Sequence, residues 1–199
     1  SSGRPAEIAE MSFSDPNVVI ARKDPAQTET SGPIFGLKES DIIHSRGLIT
    51  KDEVRAVSIH KLRLPQQGVF WDIGAGSGSV SIEVARLYPG VKVCSIEKHA
   101  EQIGNIRENV ARFGLSNVEI ISGKAPEALK ELPSPHRVFI GGSSGHMAEI
   151  VGLIQNIMSK GVIVINATTL ETLSEAMEAL TNNGFELDVS EVSVSRSKK

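Results

Sequence analysis

The chain of 199 residues carries 40% hydrophobic side chains, enough for one sizeable core, and 21 basic against 24 acidic residues give a formal charge of −3. That balance argues against a partner held by bulk electrostatics, such as duplex DNA or an anionic membrane surface, so an anionic ligand must be met by local cations. The single cysteine, Cys94, lies in an apolar run; it excludes an intrachain disulfide, favours packing over a reactive thiol and suits a reducing compartment. No apolar run reaches the roughly eighteen residues of a spanning helix, and the first residues lack the pattern of a secretion signal, so a soluble, cytoplasmic protein is expected.

Residues 1–36 read as a tail or linker, with Pro16, Pro25 and Pro33 and few apolar side chains. A domain over 37–199 follows. Thr50 and Glu53 stand at the spacing of a capping box and open a helix whose apolar stripe, Val54, Val57, Ile59 and Leu62, is ragged. The run 69–74, Val-Phe-Trp-Asp-Ile-Gly, is too short and too apolar for a surface helix and reads as a strand buried on both faces. Helices are then expected over 79–87, 100–113, 126–132, 146–158 and 171–183, alternating with strands over 91–97, 118–122, 137–142, 161–167 and 185–194. Six strands alternating with helices imply an α/β fold, a parallel sheet with helices on both faces.

Ligands of such sheets bind beyond the carboxyl ends of the strands, and the turn after the first strand is the usual floor. Here that turn is Gly74-Ala75-Gly76-Ser77-Gly78, where glycines permit positive φ and let a ligand approach the backbone. A dinucleotide turn has its third glycine where this chain has Ser79, so the spacing leans away from a pyrophosphate. Glu97, twenty-three residues after Gly74 at the end of the second strand, suits the two hydroxyls of a ribose. A nucleoside without a pyrophosphate, held by Asp72, this glycine turn and Glu97, suggests S-adenosyl-L-methionine.

The stretches 47–64, 71–85, 96–114, 123–129 and 138–150 together resemble, in that order, class I S-adenosylmethionine-dependent methyltransferases with a Rossmann-like sheet. Within them they resemble the cobalt-precorrin carbon-15 methyltransferases of cobalamin biosynthesis, which also decarboxylate the acetate side chain at carbon 12. The resemblance implies cofactor contacts at Thr50, Gly74, Ala75, Gly76, Ser77, Gly78, Glu97 and Ala125, with Lys124 standing where many class I enzymes have an acid. It implies a precorrin or cobalt-precorrin substrate met by backbone N–H groups of Gly141, Gly142 and Gly145 at a helix start, with His146 as proton donor and Arg46, Lys51 and Lys124 as cations. His44, His60, His99 and His136 have no metal-site spacing, and no metal is expected.

Residues 5–25 are similar to the end of a precorrin carbon-5 methyltransferase domain, so the chain is expected to be the C-terminal half of a bifunctional enzyme, and the family implies a homotetramer. The family pattern continues past the sixth strand into a seventh, antiparallel one, whereas the given sequence ends at Ser-Arg-Ser-Lys-Lys, residues 195–199. After the fourth strand, Gly-Gly-Ser-Ser-Gly-His replaces the Asn- or Asp-Pro-Pro-aromatic stretch common in enzymes that methylate base amines. Open alternatives are a class I methyltransferase for another small molecule or a protein, a nucleotide-dependent oxidoreductase, and a cofactor-binding scaffold.

Overall fold

The computed structural model describes residues 34–195, of which 34–189 belong to one compact unit. The expected tail lies almost wholly outside the described residues. Five parallel strands, β1 (Gly68–Ile73), β2 (Val91–Glu97), β3 (Val118–Ser122), β4 (Arg137–Ile140) and β5 (Val162–Ile165), form one sheet in the order β3-β2-β1-β4-β5. Chain order reverses between β1 and β4, which opens a crevice at the carboxyl edge there.

The helices are α1 (Asp52–Leu62), α2 (Ser79–Leu87), α3 (Ala100–Arg112), α4 (Met147–Ile157) and α5 (Leu170–Asn182). The strands are mostly apolar because both faces of the sheet are covered, with Asp72 and Ser95 as buried polar exceptions in β1 and β2. Trp71, Ile73, Cys94, Ile96, Val138 and Ile140 pack with Ile150 and Ile154 of α4 and Ala176 of α5. Phe70, Val93 and Phe139, at the alternate positions, pack with Ile59 and Leu62 of α1 and Val80 and Val84 of α2. Burial pushes the Cys94 thiol up to about 11, which keeps it a protonated packing group.

Three expectations are corrected. The first helix begins at Asp52 with Lys51 rather than Thr50 at the N-cap position, and the Lys51 side chain makes no cap. Arg55 reaches back to the Thr50 carbonyl at 2.9 Å. The stripe is ragged because the buried face of α1 is Arg55, Ser58, Ile59 and Leu62, two of them polar. Arg55 is tolerated there because Glu83, also buried, accepts from its Nε at 3.1 Å.

The expected helix at 126–132 contracts to a 3-10 turn, Glu127–Leu129. The sixth strand is absent among the described residues: 185–195 have no ladder partner, and Leu187 and Val189 stand 40% and 58% exposed. Alternation of apolar residues permits a strand, but only a neighbour taking up its N–H and C=O groups makes one.

Candidate active site

The glycine turn after β1 uses each of its glycines differently, and all three have positive φ, +69°, +56° and +77° at Gly74, Gly76 and Gly78. A Cβ on Gly74 would lie 2.6 Å from the Gly142 carbonyl oxygen, so this glycine lets the β1 and β4 turns touch. A Cβ on Gly78 would stand 3.0 Å from Ile106 of α3. A Cβ on Gly76 would meet the Leu48 carbonyl oxygen at an ordinary 3.6 Å, and the Gly76 N–H donates to Oε2 of Glu97 at 2.8 Å.

Glu97 ends β2 and is 6% exposed. Its Oε1 accepts from the backbone N–H groups of Lys98 and His99, at 2.8 and 2.9 Å. Three donors hold the carboxylate at the crevice floor. Its two oxygens offer about four acceptor sites, so Oε2 keeps capacity for a hydroxyl from the cleft.

Asp72, expected to help hold the nucleoside, is instead fully buried in β1 and does not line the crevice. Its Oδ2 accepts from the Ser81 N–H and hydroxyl, at 3.0 and 2.6 Å, while Oδ1 has no partner among the described residues. Burial pushes its pKa up to about 6 against the pull of those two bonds, with Glu97 adding repulsion. The folded protein therefore binds a proton more tightly than the unfolded chain, and the stability that proton contributes is lost as pH rises from 3.8 through about 6. The loss amounts to about 3 kcal/mol. Asp72→Asn stays neutral, so its unfolding free energy relative to the parent should improve by about that amount between pH 4 and pH 7 in denaturant titrations. An unchanged difference would show that the buried charge is already compensated.

The main cleft encloses about 500 Å3. The arm Gly47–Lys51 walls one side, and the turns after β1, β2, β3 and β4 form the floor. A second hollow of about 350 Å3 adjoins it over β4 and β5 and shares Gly141–Ser144, Asn166 and Thr168 with it. Volumes of this size suit small molecules.

The profile of the precorrin methyltransferase domain matches residues 41–199. The chain belongs to this family. A relative named probable cobalt-precorrin-6B C(15)-methyltransferase (decarboxylating), from Pyrobaculum calidifontis, is 39% identical over 153 residues, 76% of this chain and 78% of its own. Among solved structures, precorrin-6y C5,15-methyltransferase from Geobacter metallireducens superposes with a TM-score of 0.81 at 44% identity, covering 84% of this chain and 90% of that one. Precorrin-8W decarboxylase from Methanobacterium thermoautotrophicum superposes at 0.76 with 32% identity, covering 81% and 88%.

In this precorrin methyltransferase domain, Thr50, Gly74, Ala75, Gly76, Glu97 and Ala125 all line the main cleft, as do Lys51 and Lys124. Ser77 and Gly78 do not; Ser77 is buried and gives its carbonyl to Asn109 at 3.1 Å. Gly141 and Gly142 border both hollows and Gly145 the second.

Two expected residues stand elsewhere. Arg46 lies outside both hollows and pairs with Glu101 at 2.8 Å, the side chains 78% and 47% exposed. His146 caps α4, is outside both lining sets, and sets its Nδ1 2.8 Å from Glu149. Lys98, Ser144, Asn166 and Thr168 also line the cleft, beyond the residues expected from the sequence. Lys98 and Asn166 are the residues that follow β2 and β5, positions that the strand-end rule marks. Among the described residues no helix is long and apolar enough to cross a membrane.

Proposed function

We propose that this chain uses S-adenosyl-L-methionine to methylate carbon 15 of a precorrin macrocycle and releases carbon dioxide from the acetate side chain at carbon 12. The supporting observation is Glu97, a carboxylate fixed by three N–H groups beside an open glycine turn, in a chain whose relatives carry that activity by name. S-adenosylmethionine supplies an electrophilic methyl group. The residues that would hold it are Glu97 for the ribose hydroxyls, the Ala75–Gly76 backbone for close approach, and Ala125 with the arm for the adenine side. The protein's main task is alignment, since orientation of bound reactants alone contributes on the order of 7 to 11 kcal/mol.

The hollow over β4 and β5 would take the acceptor, with Gly141, Gly142 and Gly145 at its edge. Mass analysis of a precorrin reaction should find one methyl gained and one carbon dioxide lost. Methylated macrocycle that keeps every carboxylate would sink the decarboxylating half of the reading. The same reading includes a cytoplasmic homotetramer and an upstream carbon-5 methyltransferase domain. A Sinorhizobium relative named precorrin-6Y C(5,15)-methyltransferase, which this chain matches over 34% of that protein's length, supports the fusion.

Lys98 replaces Arg46 as the cation best placed for substrate carboxylates. Its Nζ reaches across the cleft from β2 to donate to Ser144 Oγ at 2.9 Å, a neutral partner that a carboxylate can displace. Lys98→Met should raise the acceptor KM about tenfold with S-adenosylhomocysteine affinity unchanged, and Lys98→Arg should recover most of the loss. Arg46→Ala should leave both constants within twofold, measured in steady-state assays and by calorimetry.

A further inference from the structure

The arm of residues 36–51 contains no regular structure beyond a 3-10 turn, Glu39–Asp41, yet its last five residues wall the main cleft. A backbone without a ladder or helix needs other partners for its polar groups. Two clasps of buried polar side chains supply them.

The first clasp is Glu83 of α2, which accepts from Gly36 N–H at 2.7 Å and from Leu37 N–H at 3.1 Å. Arg55 completes it by donating to the Leu37 and Thr50 carbonyls. The second clasp is Asn109 of α3, which is fully buried. Its Oδ1 accepts from the Ile43 N–H and its Nδ2 donates to the Ile43 carbonyl, both at 2.9 Å. The same Nδ2 donates to the Ser77 carbonyl at 3.1 Å. One amide thus ties the arm to the glycine turn. A third, more exposed bond follows along α3, from Asn105 to Ser45 Oγ at 2.9 Å. Beyond these ties the arm passes over the turn, where the Leu48 carbonyl lies 3.6 Å from the Cβ position of Gly76.

We propose that this arm is the cofactor-retaining wall of the site and that Asn109 is the positioning residue that sets it against the glycine turn. The inference rests on the adenosyl-donor reading above. Asn109 touches no part of the cleft, so its effect passes through Ile43 and Ser77. Loss of the amide frees the arm and shortens the residence of whatever it covers. The chemistry, once the cofactor is bound, is untouched.

The test uses the full chain, S-adenosylhomocysteine as probe and a temperature at which circular dichroism reports every variant folded. Asn109→Ala should raise the dissociation constant about tenfold and speed amide exchange over 42–50, with kcat at saturating cofactor within twofold. Asn105→Ala, which removes no fully buried group, should act in the same direction by about threefold, so the inference survives if Asn109→Ala fails to fold. In the parent protein the probe should slow exchange over 42–50. An unchanged dissociation constant in the variants, or exchange that rises uniformly across β1–β4, would reduce Asn109 to a structural role and overturn the proposal while leaving the donor reading intact. Failure of the parent to bind the probe would overturn both.

Discussion

Glu97→Gln is expected to weaken S-adenosylhomocysteine binding about a hundredfold, roughly 3 kcal/mol, while the fold persists. The size follows from the donors around the carboxylate. Gln keeps one oxygen and gains an N–H2, and every orientation sets that N–H2 against a backbone N–H. Turned one way it confronts Lys98 and His99, and turned the other it confronts Gly76. The side chain must therefore leave its station, and a ribose would lose a charged acceptor in a crevice where Glu97 is 6% exposed. Isothermal titration of parent and variant checks this. A change below threefold would mean that the cofactor is oriented by the glycine turn alone and that Glu97 serves to fix the loop.

The contrast between Glu97 and His146 explains what the sequence could carry. Glu97 was legible because its role depends on position along one strand, and parallel strands present their last residue to the crevice whatever the rest of the fold does. The same geometry puts Lys98 and Asn166, the residues after β2 and β5, at the crevice. Arg46 was misplaced because its partner is a tertiary matter: Glu101, in the first turn of α3, meets it outside the cleft. The pairing of His146 was readable after all, since Glu149 stands three residues on, the spacing at which helix neighbours meet.

At Thr50 the local signal ran one residue early. Arg55, committed to Glu83 by burial, donates to the Thr50 carbonyl, and the helix starts at Asp52. Apolar side chains dominate both faces of the central strands, with Asp72 and Ser95 among the buried exceptions, so the sheet was evident. The sixth strand was not decidable from its own alternation, because a ladder is a property of two segments.

The second large effect concerns Gly74, where two requirements for glycine coincide. Gly74→Ala should destabilise the protein by about 4 kcal/mol, a fall in Tm of about 10 °C for a domain of this size. A left-handed backbone, φ +69°, costs an alanine about 1 kcal/mol on its own. The larger part is overlap, since the new Cβ would stand 2.6 Å from the oxygen and 2.9 Å from the nitrogen of Gly142, backbone atoms that cannot rotate away. To relieve it the β1 and β4 turns must part, and those turns are the floor shared by both hollows. Cofactor affinity should therefore fall with stability. Gly76→Ala separates the two causes: its φ is +56°, but the nearest atom to its Cβ is 3.6 Å away, so only the backbone cost of about 1 kcal/mol applies. Gly142→Ala meets nothing within 4 Å and should leave Tm within a few degrees. Equal losses at Gly74 and Gly76 in a thermal melt would show that backbone conformation alone demands glycine in this turn, and that contact between the two turns does not shape the site.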